Sequence, residues 1–318
     1  MSINSQWSIS DTLETLVHVL ATINNLLDNV NYMASSEVKT GCAPFIYKGK
    51  KKPINHHKSY RRVTIGPLIG RITDEHIRAH TVPIYSPRQN INQYGFTEEI
   101  DYKLGIVQRY DCQQHALDEK KTLFGMTIDG LSAFDVVSRP ILLWELYNSG
   151  EIDRSWLYSM YNYQNTTCRI KMEGKLSRSF EEILGVGQGK VRASDHYKVF
   201  INPCLNLIEE AELGIWCSGD NGGGDSGRGD FCISVVGVAD DVYLLADDPV
   251  KLQCAIDLVE SYGKKYRVGF GKNKTKIVVT GSELDVNHYK DVKMWKMDGE
   301  TVDVVEENEH LGLVVTGF

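Results

Sequence analysis

The chain has 318 residues, of which 42% are hydrophobic and 24% charged, and its formal net charge is −7. This composition is typical of a globular protein with room for one large core, and the acidic balance disfavours a surface that binds nucleic acid throughout. The chain contains no run of eighteen apolar residues, so no membrane span is predicted. Its first ten residues, MSINSQWSIS, lack the basic and apolar regions of a secretory signal. We therefore expect an intracellular protein, nuclear or cytoplasmic, with no membrane partner.

The cysteines form an odd, dispersed set without a CxxC pair. Such a set predicts free thiols in a reducing compartment, and it disfavours both disulfides and a zinc site. The seven positions are Cys42, Cys112, Cys168, Cys204, Cys217, Cys232 and Cys254.

The first hundred residues alternate between helical spacing and polar stretches. Residues 11–28 carry apolar side chains at helical intervals, which predicts an amphipathic helix. A basic segment follows at 43–75, and its KGKKK run is compatible with a solvated loop, a phosphate-binding patch or a nuclear localisation signal. A second helix is predicted near 67–80, a loop over 85–95 and a helix over 98–117.

The pattern changes at residue 122. TLFGMTID predicts a buried strand that ends at Asp129. RPILLWELYNSG is typical of a helix with Pro140 near its start and Gly150 beyond its end. HYKVFINPCLNLIEEAEL has one apolar helical face, which Pro203 is expected to kink, and 218–230 is rich in glycine, as expected of a loop.

The stretch VVGVADDVYLLADDP contains two pairs of adjacent aspartates. The second pair is explained by helix capping, because Asp248 precedes Pro249 at the start of a predicted helix. The first pair, Asp240 and Asp241, separates two runs of strand-forming residues, which predicts a hairpin with these acids at its turn.

The predicted order from residue 122 is strand, helix, two hairpin strands, helix and a last strand, TKIVVTG. This β-α-β-β-α-β order predicts an α+β fold in which an antiparallel sheet carries its helices on one face. The first strand then lies beside the central hairpin, so Asp129 can approach Asp240 and Asp241. A further hairpin is expected to turn at Asp298-Gly299.

Three converging carboxylates predict a metal site. Like charges raise one another's pKa, so three acids remain ionised only beside a cation. Mg²⁺ prefers oxygen ligands and is commonly shared between one or two carboxylates and substrate phosphates. Two such ions, about 3.5–4 Å apart, stabilise both oxygens of an in-line displacement at phosphorus. The acids therefore point to nucleotidyl transfer, whereas a single Asp-Asp turn taken alone is also compatible with a solvated hairpin tip.

Several short motifs resemble, in order, those of the reverse transcriptase domain of non-LTR (LINE-type) retrotransposons. IDGLSAFDVV is similar to the family's first catalytic motif, GVGQG to its glutamine-glycine motif and VADD to its metal-binding box. GKNKT and HLG resemble its lysine and primer-grip motifs, and YKGKKK, SYRRVTIGPL and NQYGF its finger segments. The resemblance runs along most of the chain. It implies an RNA-directed DNA polymerase with the fingers and palm of the right-hand polymerase fold.

The resemblance implies roles for the residues of the first catalytic motif and the metal box. Asp129 and Asp240 would hold two Mg²⁺ or Mn²⁺ ions, with Asp241 as a neighbouring acid and the Gly130 carbonyl as a further ligand. Phe134 would lie under the incoming sugar, where its ring would clash with a 2′-hydroxyl and so select deoxynucleotides.

The other matching residues would contact substrates. Gln188 and Gly189 would line the nucleotide pocket and the template, and Lys274 would give a proton to the departing pyrophosphate. The primer grip would contain Leu311 and Gly312. Guanidinium forks suit phosphate oxygens, and the candidates for neutralising the triphosphate are Arg61, Arg62 and Arg71. The implied partners are an RNA template, a DNA primer and deoxynucleoside triphosphates.

The resemblance also implies a division into subdomains without a thumb. The expected boundaries are approximately 1–100 and 138–190 for the fingers and 101–137 and 191–318 for the palm.

Three positions depart from the family's pattern. Asp195 follows Ser194 where proline is usual, Val238 replaces an aromatic residue, and Gly271 replaces asparagine. A second hypothesis is therefore a catalytically inactive retroelement remnant that binds nucleic acid or acts as a scaffold. A third is an RNA-dependent RNA polymerase, which Phe134 disfavours because viral RNA-making polymerases tend to carry aspartate there.

Overall fold

A computed structural model describes residues 39–49, 52–217, 230–271, 275–311 and 313–317. The helix predicted over 11–28, nearly all of the glycine-rich loop, Lys274 and Gly312 lie outside these residues. The described residues form two compact units. The first comprises Gly150–Ile183, Gly187–Arg192 and the described part of Met1–Ile84; the second comprises Tyr85–Ser149, Leu184–Val186 and the described part of Ala193–Phe318.

The described residues form eight α-helices and sixteen strands. The helices are α1 (Leu68–Tyr85), α2 (Lys103–Asp118), α3 (Ala133–Val136), α4 (Arg139–Asn148), α5 (Asp153–Tyr163), α6 (Ala193–Glu210), α7 (Pro249–Tyr266) and α8 (Glu283–Val292). The strands are β1 (Thr40–Tyr47), β2 (Tyr60–Arg62), β3 (Leu123–Asp129), β4 (Thr167–Met172), β5 (Lys175–Leu176), β6 (Phe180–Glu181), β7 (Ile215–Cys217), β8 (Phe231–Ile233), β9 (Val235–Val238), β10 (Asp241–Ala246), β11 (Lys276–Thr280), β12 (Lys296–Met297), β13 (Glu300–Thr301), β14 (Val304–Val305), β15 (Glu307–His310) and β16 (Leu313–Thr316).

The first unit contains a five-stranded sheet that the sequence patterns do not predict. β1 pairs antiparallel with β2 and parallel with β4, and β4 pairs antiparallel with both β5 and β6. The helix predicted near 67–80 is confirmed as α1, which continues through Pro83. In α5, which was not predicted, Tyr158 and Tyr163 are buried.

The second unit is built on a sheet with the strand order β14-β11-β3-β10-β9. β3 lies between β11 and β10 and pairs antiparallel with both, and β10 pairs antiparallel with β9. The predicted β-α-β-β-α-β order and the α+β class are therefore confirmed, with the first strand beside the hairpin. β14 adds a parallel partner to β11 that was not predicted.

The sequence predicted helices on one face of this sheet, but helices cover both faces, because α2 packs on the face opposite to α6 and α7. α6 and α7 contact each other and pack on β9 and β10; a Cβ added at Gly237, the partner of Val242, would meet Leu205 of α6. The residues that alternate with Val242, such as Tyr243, form a buried cluster with Cys112 of α2. Because both faces are covered, the strands are nearly continuous apolar runs rather than alternating ones.

Local signals place most helix and strand ends in the second unit correctly. Asp248 caps α7 as predicted, since its carboxylate accepts hydrogen bonds from the backbone N–H groups of Val250 and Lys251 at 2.7 and 3.2 Å. The hairpin at Asp298-Gly299 is confirmed by the pairing of Met297 with Glu300.

Among the described residues, no helix combines the length and the apolar content needed to cross a bilayer.

Candidate active site

Asp129 and Asp241 are direct partners in the pairing of β3 with β10. Asp129 is the last residue of β3 and Asp241 the first of β10. Residues directly opposite each other in antiparallel strands have Cβ atoms about 4.5–5.5 Å apart on the same face of the sheet. The Cβ atoms of the two acids are therefore close at one end of the sheet, where both residues are only partly buried.

Asp240 lies in the hairpin turn beside this pair. Because Val238 pairs with Asp241, the two-residue loop is Ala239-Asp240, so the predicted turn at Asp240-Asp241 is displaced by one residue. A Cβ added at Gly130 would lie 3.7 Å from the Cβ of Asp240. The fold thus brings the backbone of all three acids together. Among the described residues, however, no three His, Cys, Asp or Glu side chains are grouped as a metal-binding set.

Glycine at position 271 leaves room for the Asp129 carboxylate. The Gly271 N–H donates to the Asp129 carbonyl at 2.7 Å, and a Cβ added at Gly271 would lie 3.1 Å from Asp129 Oδ2. The asparagine expected from the resemblance would place its Cβ there. An asparagine at this position would therefore require the Asp129 carboxylate to shift by a few tenths of an ångström.

Phe134 is held by aromatic contacts in the second unit. Its ring is stacked on Tyr197, with centroids 4.8 Å apart and planes inclined by 17°, and Phe96 meets it edge-on at 6.0 Å. Aromatic pairs of this kind hold both rings in one orientation. Phe134 is partly buried in the short helix α3, which starts after Ser132 at a positive φ of 55°.

Tyr197 also lies near enough to Asp240 and Asp241 for their charges to affect its pKa. Burial raises the pKa of the Tyr197 phenol well above its usual range, and the negative charges of Asp240 and Asp241 raise it further. Tyr197 therefore stays neutral at ordinary pH. It stacks on Phe134 and also lies near the acids. Sequence reasoning missed it, because HYKVF carries only the apolar signal of a helix face.

Gln188 and Gly189 lie in the first unit, beside the segment that follows β2. The Gln188 carbonyl accepts a hydrogen bond from the Thr64 N–H at 2.6 Å. Gly189 has a φ of 98°, and a Cβ added to it would lie 2.8 Å from Val63 Cγ1. Because a side chain would be strained and crowded there, the glutamine-glycine loop requires glycine at this position.

The three candidate arginines have different surroundings within the first unit. Arg62 forms an ion pair with the buried Glu182 at 2.7 Å, whereas Arg61 is exposed on β2. Arg71, in the first turn of α1, lines a shallow cavity together with Lys39, Lys190 and the buried acid Asp74. Of the three arginines, Arg71 therefore has two lysines beside it, with one acidic residue in the same lining.

Leu311 begins the connection between β15 and β16, with a positive φ of 55°. His310 attaches the β15–β16 hairpin to the rest of the second unit. Arg109 Nη1 donates to His310 Nδ1 at 3.0 Å, and the centroid of the His310 ring lies 5.1 Å from that of Tyr243. Asn308 Nδ2 donates to Thr127 Oγ1 of β3 at 3.0 Å. The candidate primer-grip turn is thus attached to the same sheet as the acids.

Gln93 is a second residue that sequence reasoning missed. The resemblance assigns NQYGF to a finger segment, whereas Gln93 is buried in the second unit and bonds the backbone of the hairpin turn. A polar side chain in a loop-like segment gives no local signal of such a contact, which joins residues far apart in the chain.

These elements, with acids at adjoining ends of the central strands of an antiparallel sheet, have the architecture of a polymerase palm. Residues 49–313 match the family described as "Reverse transcriptase (RNA-dependent DNA polymerase)", and the chain belongs to this family. A search of curated proteins found no match to the sequence.

Solved telomerase structures share the fold. Telomerase from Candida albicans, described in complex with a fragment of telomeric RNA, superposes with a TM-score of 0.57 at 12% identity, covering 88% of this chain and 45% of that one. Apo telomerase from Candida tropicalis, truncated from its C-terminal domain, gives 0.56 at 11% identity, covering 89% and 54%. The chain spans about half the length of these structures. At this level of identity the likeness shows the fold alone.

Proposed function

We propose that this chain is the catalytic domain of an RNA-directed DNA polymerase of the non-LTR retrotransposon type. It would join a deoxynucleotide to a primer 3′-hydroxyl by two-metal nucleotidyl transfer. The observation that carries the proposal is the direct pairing of Asp129 with Asp241, with Asp240 in the adjoining turn. The ordered motifs support the non-LTR assignment, and family membership supports the reaction class.

The acids would bind a pair of divalent ions whose coordination is completed by substrate. Mg²⁺ commonly takes one or two carboxylates and obtains its other ligands from water and phosphates, so Asp129 and Asp240, with the Gly130 carbonyl, would hold Mg²⁺ or Mn²⁺. The ions would supply charge neutralisation at the attacking and leaving oxygens. Asp241, as the second acid, would strengthen the negative potential that attracts them.

The remaining residues would position the nucleotide. Phe134, fixed by its stack on Tyr197, would exclude a 2′-hydroxyl and so select deoxynucleotides. Arg71 is the preferred contact for the triphosphate, since Lys39 and Lys190 line the same cavity and Arg62 already pairs with Glu182. Arg61 would act from the exposed side of β2.

The template and primer roles are proposed as well. Gln188 and Gly189 would contact the template and the nucleotide, Leu311 and Gly312 the primer end, and Lys274 would protonate pyrophosphate. Membership of a family described as "Reverse transcriptase (RNA-dependent DNA polymerase)" supports an RNA template.

The subdomain assignment belongs to this proposal too, with the fingers near 1–100 and 138–190 and the palm near 101–137 and 191–318. The seven cysteines, all within the described residues, are free thiols, which favours action in a reducing compartment such as the nucleus or cytoplasm.

A primer-extension assay tests the proposal. The chain is mixed with a DNA primer annealed to an RNA template, dNTPs, and Mg²⁺ or Mn²⁺, and extension is followed on a gel. We expect extension by the wild type and none by Asp240→Asn, which keeps the size of the side chain and removes its charge. The matched control is Asp247→Asn, from the second Asp-Asp pair, whose carboxylate contacts Lys251 in the first turn of α7.

The other possible outcomes contradict the proposal, and two of them support one of the alternative hypotheses. Binding of the primer–template without extension would contradict the proposal and support an inactive remnant. Incorporation of ribonucleotides in preference to deoxynucleotides would support an RNA-dependent RNA polymerase. Equal loss in Asp240→Asn and Asp247→Asn would refute the assignment of the acids.

A further inference from the structure

We infer that Gln93 is a positioning residue that fixes the hairpin turn carrying Asp240. The inference rests on the proposed function, because it gives Asp240 the role of a metal-binding acid. It concerns a residue in a segment, Asn92–Gly95, that contributes no acid or base to the site. All of the contacts involved lie within the second unit.

The segment Asn92–Gly95 lies along the free edge of β9. The Gly237 N–H donates to the Asn92 carbonyl, and the Tyr94 N–H donates to the Gly237 carbonyl, each at 2.8 Å. Gln93 sits between these two bonds as the parallel partner of Gly237. Gln93 is 3% exposed, so its side-chain amide must find partners within the protein.

The Gln93 amide finds those partners at the turn. Gln93 Oε1 accepts from the Ala239 N–H and from the Gly95 N–H, both at 2.9 Å. Gln93 Nε2 makes a longer contact of 3.4 Å with the Ala239 carbonyl. One side chain therefore contacts both peptide groups of Ala239, the residue immediately before Asp240.

Ala239 is the residue of the hairpin that most needs such support. Its φ of 59° lies in the left-handed region, which a residue with a Cβ adopts at a cost. The Ala239 carbonyl belongs to the peptide group that leads into Asp240. Fixing that peptide plane fixes the direction in which the Asp240 side chain leaves the turn, and placement of a reacting group to within about 1 Å is worth about 100-fold in rate.

Gly95 explains how the two segments approach so closely. A Cβ added at Gly95 would overlap the Ala239 backbone nitrogen. Gly95 therefore allows the backbone of this segment to lie against the turn, and the Gln93 amide joins the two. Glutamine supplies both an acceptor and a donor, whereas methionine of similar length supplies no comparable pair.

Two variants separate this role from ordinary stabilisation. Gln93→Met keeps the length of the side chain and removes its hydrogen bonds. The matched control is Gln108→Ala, because Gln108 donates to Asn92 Oδ1 and accepts from the Tyr94 hydroxyl, each at 2.9 Å. The control thus weakens the same segment without touching Ala239.

Three readouts are taken for wild type and both variants. Hydrogen exchange resolved to single amides by NMR, without metal or substrate, reports the Ala239 amide. Mn²⁺ affinity by electron paramagnetic resonance reports the metal-binding acids without any turnover. Primer extension gives kcat and the KM for the dNTP.

In Gln93→Met we expect about tenfold faster exchange of the Ala239 amide, weaker Mn²⁺ binding, and a kcat lowered by about 10- to 100-fold. The KM for the dNTP should change little. Gln108→Ala should leave the exchange, the Mn²⁺ affinity and kcat near wild type, even where its melting temperature falls as far as that of Gln93→Met.

The inference is overturned if Gln93→Met keeps wild-type exchange and Mn²⁺ affinity, or if Gln108→Ala loses as much kcat. A wild type that fails to extend any primer would refute the proposed function instead. The exchange and Mn²⁺ measurements would then still decide whether Gln93 holds the turn and its acid.

Discussion

Asp129 and Asp241 lie opposite each other across β3 and β10, although they belong to distant parts of the chain. Their pairing follows from the strand order, which places the end of β3 against the start of β10. Each strand is apolar and buried up to its acid, so the carboxylates emerge where the core ends. The relationship gives the candidate site its geometry.

Phe134 should control discrimination between sugars. In Phe134→Val the smaller side chain no longer fills the space under the sugar, so acceptance of ribonucleotides should rise by about 10- to 100-fold relative to deoxynucleotides. The ratio of kcat/KM values for a matched dNTP and rNTP measures this. Phe96→Leu, which removes the edge contact but keeps the Phe134 ring, is the control; an unchanged ratio in Phe134→Val would contradict the role.

His310 should make stability depend on pH. Burial, and then the positive charge of Arg109, lowers the pKa of His310 to about 4, against about 6.5 in an unfolded chain. Between these values the unfolded state binds a proton that the folded state does not. The free energy of unfolding therefore rises from about pH 4 to about pH 6.5, by on the order of 3 kcal/mol in total, and is flat above that range.

The pH effect is measured by urea unfolding of wild type and His310→Gln at pH 5 and at pH 7.5. The variant lacks the titrating ring, so the stability difference between the two proteins should be about 2 kcal/mol less favourable to the wild type at pH 5. A difference that does not vary with pH would show that His310 titrates normally in the fold.

Asp248 should contribute to stability without contributing to chemistry. Its carboxylate accepts two backbone N–H groups at the start of α7, and replacing such a cap with alanine costs about 1 kcal/mol. Asp248→Ala should therefore unfold at lower urea concentration with an unchanged KM for the dNTP. Asp247→Ala loses only a partly exposed ion pair with Lys251 and should cost less than about 0.5 kcal/mol.

The ion pair of Arg192 with Glu151 should be the most sensitive point of the first unit. The two side chains are 3% and 0% exposed and lie 2.8 Å apart. Glu151→Ala removes the carboxylate that pairs with the buried Arg192 guanidinium, and breaking such a buried pair costs about 3–5 kcal/mol. Adding Arg192→Met should restore much of this loss, because the buried guanidinium that lost its ion-pair partner is then gone. A double variant no more stable than Glu151→Ala would contradict the account.

Helix ends and single strands follow from local rules, and these were predicted well. Asp248-Pro249 starts α7 because the cap and the proline each satisfy or remove backbone donors within three residues. Asp298-Gly299 turns a hairpin because both residues tolerate positive φ, and here they have it. The order of strands from β3 to β11 followed from the same local patterns.

Long-range pairing left much weaker signals. β1 pairs parallel with β4, and β14 pairs parallel with β11. A parallel pair requires a long connection, so the residues of one strand do not indicate which distant strand is its partner. The one-residue displacement of the hairpin loop to Ala239-Asp240 has the same origin: the register is set by pairing across β9 and β10, and the Gln93 amide supports the resulting turn.

The sequence by itself determined the α+β class, the ends of the main elements in the second unit and the acids that form the candidate site, because these depend on side-chain spacing and capping within a few residues. Only the tertiary structure decided that Asp241 lies opposite Asp129, that Tyr197 stacks on Phe134 and that Gln93 bonds the turn. Those contacts form only when distant segments are packed together, so no short stretch of the chain encodes them separately.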